Sequence, residues 1–305
     1  MTASIPKVTV GVPVYNGHHY LHAALDALLA QDFPDLEVIV ADNASTDDSL
    51  AIACGYAERD PRVTVHPSTT NRGAAWNFNR TLDLASGRWF KWAACDDICS
   101  PSFIRRCVEA FEVAPDSIVL AYPKTVIIDE AGKRVRDFED GFDLRQPAPH
   151  ERLAAMLSVR TDYHPVFGLI RTDALRRTQA IGNYVASDVA LLVELCLMGE
   201  FHEVPERLFL RRIHPGTSVL ANPGASERAE WFDPAGGGGA RFPFTRLTGE
   251  FLRIVAAADL GPAEKARCES AVVRRWAVPY ARAMGGELKA AAKRRLGHPV
   301  RRSDP

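Results

Sequence analysis

Between Val8 and Ala94 the chain alternates short, mostly apolar runs with amphipathic stretches, and that alternation restricts it to a layered α/β architecture. Val8-Thr-Val-Gly-Val-Pro-Val14 is rich in β-branched residues and carries no charge, as expected of a strand covered on both faces in a parallel sheet. From Tyr20 to Ala30, Leu21, Leu25, Leu28 and Leu29 recur at helical spacing. Leu36–Ala41 predicts a second strand, and Asp42-Asn43-Ala-Ser45-Thr-Asp47-Asp48 is turn chemistry, with Ser45 or Thr46 capping a helix that continues to Arg59. Val63–His66 supplies a third strand, Asn71-Arg72-Gly73 opens a helix through Ala85, and Trp89–Ala94 is a fourth strand. Such units join by right-handed crossovers onto a largely parallel sheet, with ligands bound outside the carboxyl ends of the strands. The polar clusters Tyr15-Asn16, Asp42-Asn43, Asn71-Arg72-Gly73 and Asp96-Asp97 all fall at those ends, so four separate segments converge on one rim. The chain has no Gly-x-Gly-x-x-Gly after the first strand and no P-loop motif, which argues against a standard dinucleotide fold or a P-loop enzyme.

Beyond Pro101 the pattern predicts a helix to Val113, a buried strand at Ser117–Tyr122 and a hairpin formed by Thr125–Asp129 and Arg134–Arg136. The tract from Phe138 to His150 is polar and Pro-containing, and is expected to be a surface excursion. A strand returns at Tyr163–Ile170, and Ser187 or Asp188 caps the apolar helix Val189–Met198. Lys91, in an otherwise apolar strand, is expected at an edge or beside an acid. The four glycines 236 to 239 mark a loop, after which two Ala- and Arg-rich helical patterns and a basic tail complete the chain. The expected division is residues 1–220 as the main domain, with halves 1–122 and 123–220, then a Gly-rich loop at 221–244 and a helical extension at 245–305.

A formal net charge of -1 argues against a general nucleic-acid binder, and no apolar run approaches the roughly 20 residues of a transmembrane helix. Six cysteines without a Cys-x-x-Cys pair, and an N-terminus without a secretory signal, predict a cytoplasmic protein with free thiols. Lys289, Lys293, Arg294, Arg295, Arg301 and Arg302 leave attachment to a membrane surface as an alternative location.

The chemistry centres on Asp96-Asp97, where an apolar run ends in adjacent carboxylates just before Ser100-Pro101 opens a helix. Neighbouring acids repel and call for a cation or a hydrogen-bonding ligand, and a hard divalent ion with a face open to phosphate oxygens meets that need. The competing reading is a solvated turn that caps the next helix. His18, His19 and His22 offer His-x-x-x-His, but the intervening Glu and a third ligand of a zinc site are missing. Trp76, Trp89 and Trp92 are expected to pack in the core rather than stack on a sugar.

With these motifs assembled, Lys7 to Val219 resembles the family 2 nucleotide-sugar glycosyltransferases of the GT-A fold. Val-Pro-Val-Tyr-Asn at 12–16 looks like that family's opening strand and turn, and Asp42-Asn-Ala-Ser-Thr-Asp47 matches its second signature. Asn71-Arg-Gly73 with Asn77, and Ala94-Cys-Asp-Asp-Ile-Cys-Ser-Pro101, are similar to its helix start and acidic block. The resemblance implies a Rossmann-like, mostly parallel central sheet flanked by helices. It also implies a metal-dependent, inverting transfer of a sugar from a nucleotide sugar, expected to be a UDP sugar, to a hydroxyl. The implied donor-binding residues are Pro13, Val14, Tyr15, Asn16, Asp42, Asn43, Asn71, Arg72, Asn77, Asp96 and Asp97. Asp97 would ligate Mn²⁺ or Mg²⁺ and Asp96 would hold ribose or a phosphate-side water, with the two roles exchangeable. His214, in Arg212-x-His-x-x-x-Ser218, would reach the metal or the diphosphate. Asp188 is the implied base, kept ionised by the positive end of its helix, and His164 is a candidate on the acceptor side. One position departs from the pattern: Ala94 stands where many members carry the first Asp of the acidic block. The acceptor, whether saccharide, lipid-linked glycan or small metabolite, is not specified, and a homodimer is left open. The alternatives are a catalytically silent nucleotide-binding module of the same fold, made thinkable by Ala94, or a sugar nucleotidyltransferase, whose Gly-rich basic loop is missing.

Overall fold

The computed structural model describes residues 7–113, 117–223, 225–232, 234 and 243–295. Its first half follows the alternating pattern: β1 (Val8–Val14), α1 (His18–Leu29), β2 (Leu36–Asp42), α2 (Ser49–Arg59), β3 (Val63–Pro67), α3 (Ala74–Leu84) and β4 (Trp89–Trp92). Next come β5 (Ile98–Cys99), α4 (Phe103–Val113), β6 (Ile118–Ile128), β7 (Arg134–Phe138), α5 (Pro149–Ser158), β8 (Leu169–Arg171), α6 (Thr172–Leu175), α7 (Ser187–Met198) and β9 (Glu200–Arg212). Among the described residues the nine strands form one sheet in the order β3-β2-β1-β4-β8-β6-β9-β5, with β7 beside β6. Pairing is parallel from β3 to β4; beyond that β8 runs antiparallel to both neighbours, and β6 and β9 are parallel to each other.

Side chains alternate across each strand, and this splits the apolar residues into two layers. Val8, Val10, Val12 and Val14 pack with Leu21, Leu25 and Leu28 of α1 on one face. Phe90 and Trp92 enter the opposite layer with α3, α5 and α7. At Gly11 a Cβ would lie 2.4 Å from Thr81 Oγ1 and 2.8 Å from Phe90 Cζ, so the missing side chain lets α3 settle directly on β1. The C-terminal helices α10 (Pro243–Ala257), α11 (Pro262–Val272) and α12 (Val278–Arg295) continue this second layer, after α8 (Ser218–Ala221) and α9 (Ala225–Phe232). Phe251, Val255, Val272 and Trp276 share one cluster with Leu153, Met156 and Leu192, so the extension is packed into the core of the sheet domain.

Several local expectations are corrected. Phe142 and Leu144 are buried, so the polar tract after Phe138 folds inward on two apolar anchors. Residues 164–167 form a 3-10 turn rather than strand, leaving β8 three residues long. Part of the expected 221–244 loop is helix α9; glycines 236 to 239 lie outside the described residues. Ser45 does not cap α2 but accepts from Asn16 N at 3.0 Å, and α7 begins after Ala186 (φ 63°) without a side-chain cap. Lys91 is neither at an edge nor beside a carboxylate. It is fully buried, donates to the carbonyls of Trp92 (3.0 Å) and Phe167 (2.6 Å), and sits 4.3 Å from the centre of the Phe103 ring. Backbone oxygens and an aromatic face thus replace the anion that the sequence pattern calls for.

Candidate active site

The carboxyl ends of β1, β2 and β4 converge, and hydrogen bonds tie their loops together. Asn16 (φ 53°) donates its N–H to Ser45 Oγ at 3.0 Å, and its side-chain oxygen accepts from Thr46 N at 2.8 Å. Asp47 accepts from His18 N and Ser49 N and meets His18 Nδ1 at 2.6 Å. Burial works to raise its carboxyl, but these hydrogen bonds outweigh it and hold Asp47 down to about 2. His18 is therefore committed to Asp47, and His22 to Tyr56 at 3.3 Å, rather than to a zinc site. Asn43 donates to Asn71 Oδ1 and to the Gly73 carbonyl, and accepts from Arg72 N. Asn77 donates to the carbonyls of Val14 (3.2 Å) and Ala41 (3.0 Å), holding β1 and β2 at a fixed separation where they end.

These loops border a cavity of about 520 Å³. Pro13, Val14, Tyr15, Asn43, Asn71 and Asn77 line its first side; Ala94, Cys95, Asp96 and Arg211 form its floor. Phe78 and Phe167 add apolar surface, and residues from Gly216 to Pro234, among them Ser218 and Trp231, close the remaining side. Asp42, Asn16, Arg72 and Asp97 do not line the cavity. Asp42 is 2% exposed just behind it, with Oδ2 accepting from Ser45 N at 3.1 Å and Oδ1 lacking a hydrogen-bond partner among the described residues. Arg72 lays its guanidinium over the Trp76 ring at 4.4 Å.

Asp96 and Asp97 have different surroundings. β5 pairs antiparallel with β9, Ile98 opposite Leu210, which sets Asp97 across from Arg211. Its Oδ1 accepts from Arg211 Nη1 and Arg212 N, each at 2.9 Å. Burial pushes the Asp97 carboxyl up, with Arg211 opposing. Burial also works against the Arg211 guanidinium, but Asp97 and Asp96 hold it above its ordinary value. Asp96, in the preceding turn, instead faces the cavity and meets His214 Nε2 at 2.9 Å. Arg212 props this corner: its Nε donates to the Asp96 carbonyl, its Nη1 to the carbonyls of Asp129 and Glu130, and its guanidinium lies 4.7 Å over the Tyr20 ring. Among the described residues no group of three or more His, Cys, Asp or Glu could close on a metal ion.

Asp188 and His164 lie apart from the cavity wall. Asp188 stands in the first turn of α7 with Oδ1 accepting from Val189 N at 3.0 Å. Part of the residue reaches the surface, yet burial pushes its carboxyl up, against the expectation that the helix end would lower it. Desolvation exceeds what the few amides of the helix end return. His164 is 7% exposed, 3.0 Å from Asp140 and packed against Phe138, so it sits in the core rather than on an acceptor's approach. Arg211 and Trp231 were not expected at the site: Arg211 lies one residue before the recognised motif, and Trp231 is in a segment with no strand or motif signal beside it.

Comparison with known proteins bears on these observations. Residues 9–182 match the model of glycosyl transferase family 2. An uncharacterized glycosyltransferase of Haemophilus influenzae is 25% identical over 230 residues, covering 74% of this chain and 71% of the relative. In fold the chain resembles S. aureus TarS residues 1–349 in complex with UDP-GlcNAc (TM-score 0.66, 20% identity, 89% of this chain and 73% of that one). It also resembles a mannosyltransferase, PcManGT from Pyrobaculum calidifontis, in complex with GDP-Man and Mn²⁺ (TM-score 0.54, 19% identity, 95% and 76% covered). With the expected GT-A sheet and a family match across more than half its length, the chain belongs to the family 2 glycosyltransferases and is an enzyme of glycosyl transfer.

Proposed function

We propose that this enzyme transfers a sugar from a nucleotide sugar, a UDP sugar in our reading, to a hydroxyl acceptor by single displacement. The observation that carries this reading is the shared cavity of Tyr15, Asn43, Asn71, Asp96 and Arg211 at the carboxyl end of a parallel sheet. Asp42, whose buried Oδ1 lacks a partner among the described residues, is suited to accept an N–H from the base. Arg211 supplies a cation at the cavity floor for the diphosphate.

One carboxylate (Asp96) and one imidazole (His214) lie together; the carboxylate suits Mg²⁺ or Mn²⁺, the imidazole favours the softer Mn²⁺, and either ion would take its other ligands from phosphate and water. We assign the ion to Asp96 and His214, and give Asp97 the task of holding Arg211 in place. When bound, the ion neutralises charge that develops on the departing diphosphate. The Mn²⁺ in the complex of the mannosyltransferase PcManGT supports such a site.

Asp188 is our base. In-line attack calls for a base on the far side of the sugar from the diphosphate. A carboxyl raised by burial is also better matched to taking a proton near neutral pH. Inversion at the anomeric carbon follows from a single displacement. All six cysteines are free thiols, which supports a reducing, cytoplasmic setting.

The test is a panel of nucleotide sugars with Mn²⁺ or EDTA, read by thermal shift and by release of nucleoside diphosphate. The expected result is a metal-dependent shift with one donor and slow hydrolysis of that donor. No shift with any nucleotide sugar would refute the reading; a shift without hydrolysis or transfer would favour the silent module that Ala94 makes worth testing.

A further inference from the structure

The last helices carry a charge that the rest of the chain lacks. From Arg274 to Arg302 there are nine Lys and Arg against one acid, Glu287, while the whole chain is at -1; the remainder is therefore at -9. α11 runs through a π-helical turn (Val273–Ala277) into α12, making one long rod whose two faces differ. The inner face is fixed: Val272 and Trp276 are buried, Trp276 Nε1 donates to Thr248 Oγ1 at 3.1 Å, and Tyr280 stacks on Phe244. The outer face cannot turn inward without breaking that packing.

Arg274, Arg275, Arg282 and Lys289 are exposed there, and among the described residues none of the four is in an ion pair. Val273 (46% exposed) and Val278 (64%) are interleaved with them, and Leu288 (59%) protrudes at the edge of this face, beside Thr245, Arg246 and Glu250 of α10. Cations beside protruding aliphatic side chains match an anionic lipid surface, where the charges meet headgroups and the apolar groups enter the boundary beneath. A nucleic acid would use the cations but leave the aliphatic groups exposed. We propose that the outer face of the α11–α12 rod docks the enzyme on a bilayer containing anionic lipid. This inference is independent of the donor reading, because none of its residues lines the cavity.

The test is co-sedimentation of the full chain with vesicles of phosphatidylcholine alone or with about 30% phosphatidylglycerol, whose anionic headgroups give the surface a negative potential. Binding is expected only to the anionic vesicles, and should be lost at about 0.5 M NaCl, where screening is short-ranged. The variant R274Q/R275Q/R282Q/K289Q should reduce partitioning about a hundredfold or more, since each charge contributes roughly fivefold at such a surface. V278S/L288S should weaken it by a smaller factor at unchanged salt dependence. Thermal melts and donor binding should match the parent in both variants, as all six positions are exposed. Equal binding to neutral vesicles, no effect of the fourfold charge removal, or tighter binding to duplex DNA than to anionic vesicles would each overturn the proposal.

Discussion

Replacing the two neighbouring acids one at a time should separate anchoring from ligand binding. Asp97 is 5% exposed, and its Oδ1 serves both the Arg211 guanidinium and the Arg212 amide at 2.9 Å. Asp97→Ala leaves an Arg side chain that is 17% exposed with Asp96 at 3.9 Å as its nearest acid. Breaking one side of a buried pair costs about 3–5 kcal/mol, and residual exposure with a second acid nearby puts this case at the lower end, about 3 kcal/mol. The thermal midpoint should then fall by about 5 °C. Asp96→Ala should differ: its partner His214 keeps the Tyr20 ring beside it and no buried cation is stranded, so the loss is about 1 kcal/mol or less. That variant should nonetheless lose the Mn²⁺-dependent thermal shift with nucleoside diphosphate. A carboxylate that served only as a metal ligand could be removed with little thermal cost; the register of β5 on β9 gives Asp97 a structural partner as well. An unchanged midpoint for Asp97→Ala, or a full metal-dependent shift for Asp96→Ala, would refute the division of roles.

Asp188→Asn should lower transfer by about a hundredfold or more while leaving donor affinity intact, in a single-turnover assay with binding measured separately. Because burial raises the folded carboxyl above its ordinary 3.8, ionisation opposes folding as pH rises above that value. The variant should therefore melt at or above the parent at pH 7, the difference vanishing below pH 3.8; a variant less stable than the parent at neutral pH would contradict this. Gly73→Ala puts a Cβ 2.4 Å from the Phe232 carbonyl at φ 85° and ψ 165°, costing about 1–3 kcal/mol of backbone strain and pushing the α9 end off the cavity. A raised donor KM with little change in kcat is the expected signature, and unaltered kinetics would show that this wall does not touch the donor.

The first strand was legible because a strand buried on both faces is written as an uncharged β-branched run, β2 to β4 because each is a short apolar run between helical patterns, and their rim because Asp, Asn and Gly cluster where such strands stop. What lay beyond reach depended on pairing at a distance. Lys91 is neutralised by no residue in its own pattern, since carbonyls and an aromatic ring take the place of an acid. Phe142 and Leu144 are too few in a polar tract to announce a buried segment, though each is an anchor under β6 and β9. For Asp188, the positive helix end is written in the sequence but the desolvation that outweighs it comes from the assembled core.

The assignment within Asp96-Asp97 follows from the same limit. Adjacent residues at a strand entrance diverge, so two neighbouring carboxylates seldom both face one ligand. Which of them does is decided here by a partner 114 residues away: with Ile98 opposite Leu210, Asp97 falls opposite Arg211, and Asp96 is left in the turn beside His214. This makes Ala94 intelligible. An acid at 94 would add another negative charge to a cavity floor where Asp96 must meet a diphosphate, with Arg211 already partly neutralised by Asp97. With alanine there, the floor presents one cation, Arg211, and one carboxylate, Asp96, with the His214 imidazole against it, a set that a divalent ion can complete, while Glu227 and Glu230 line the cavity from its C-terminal side.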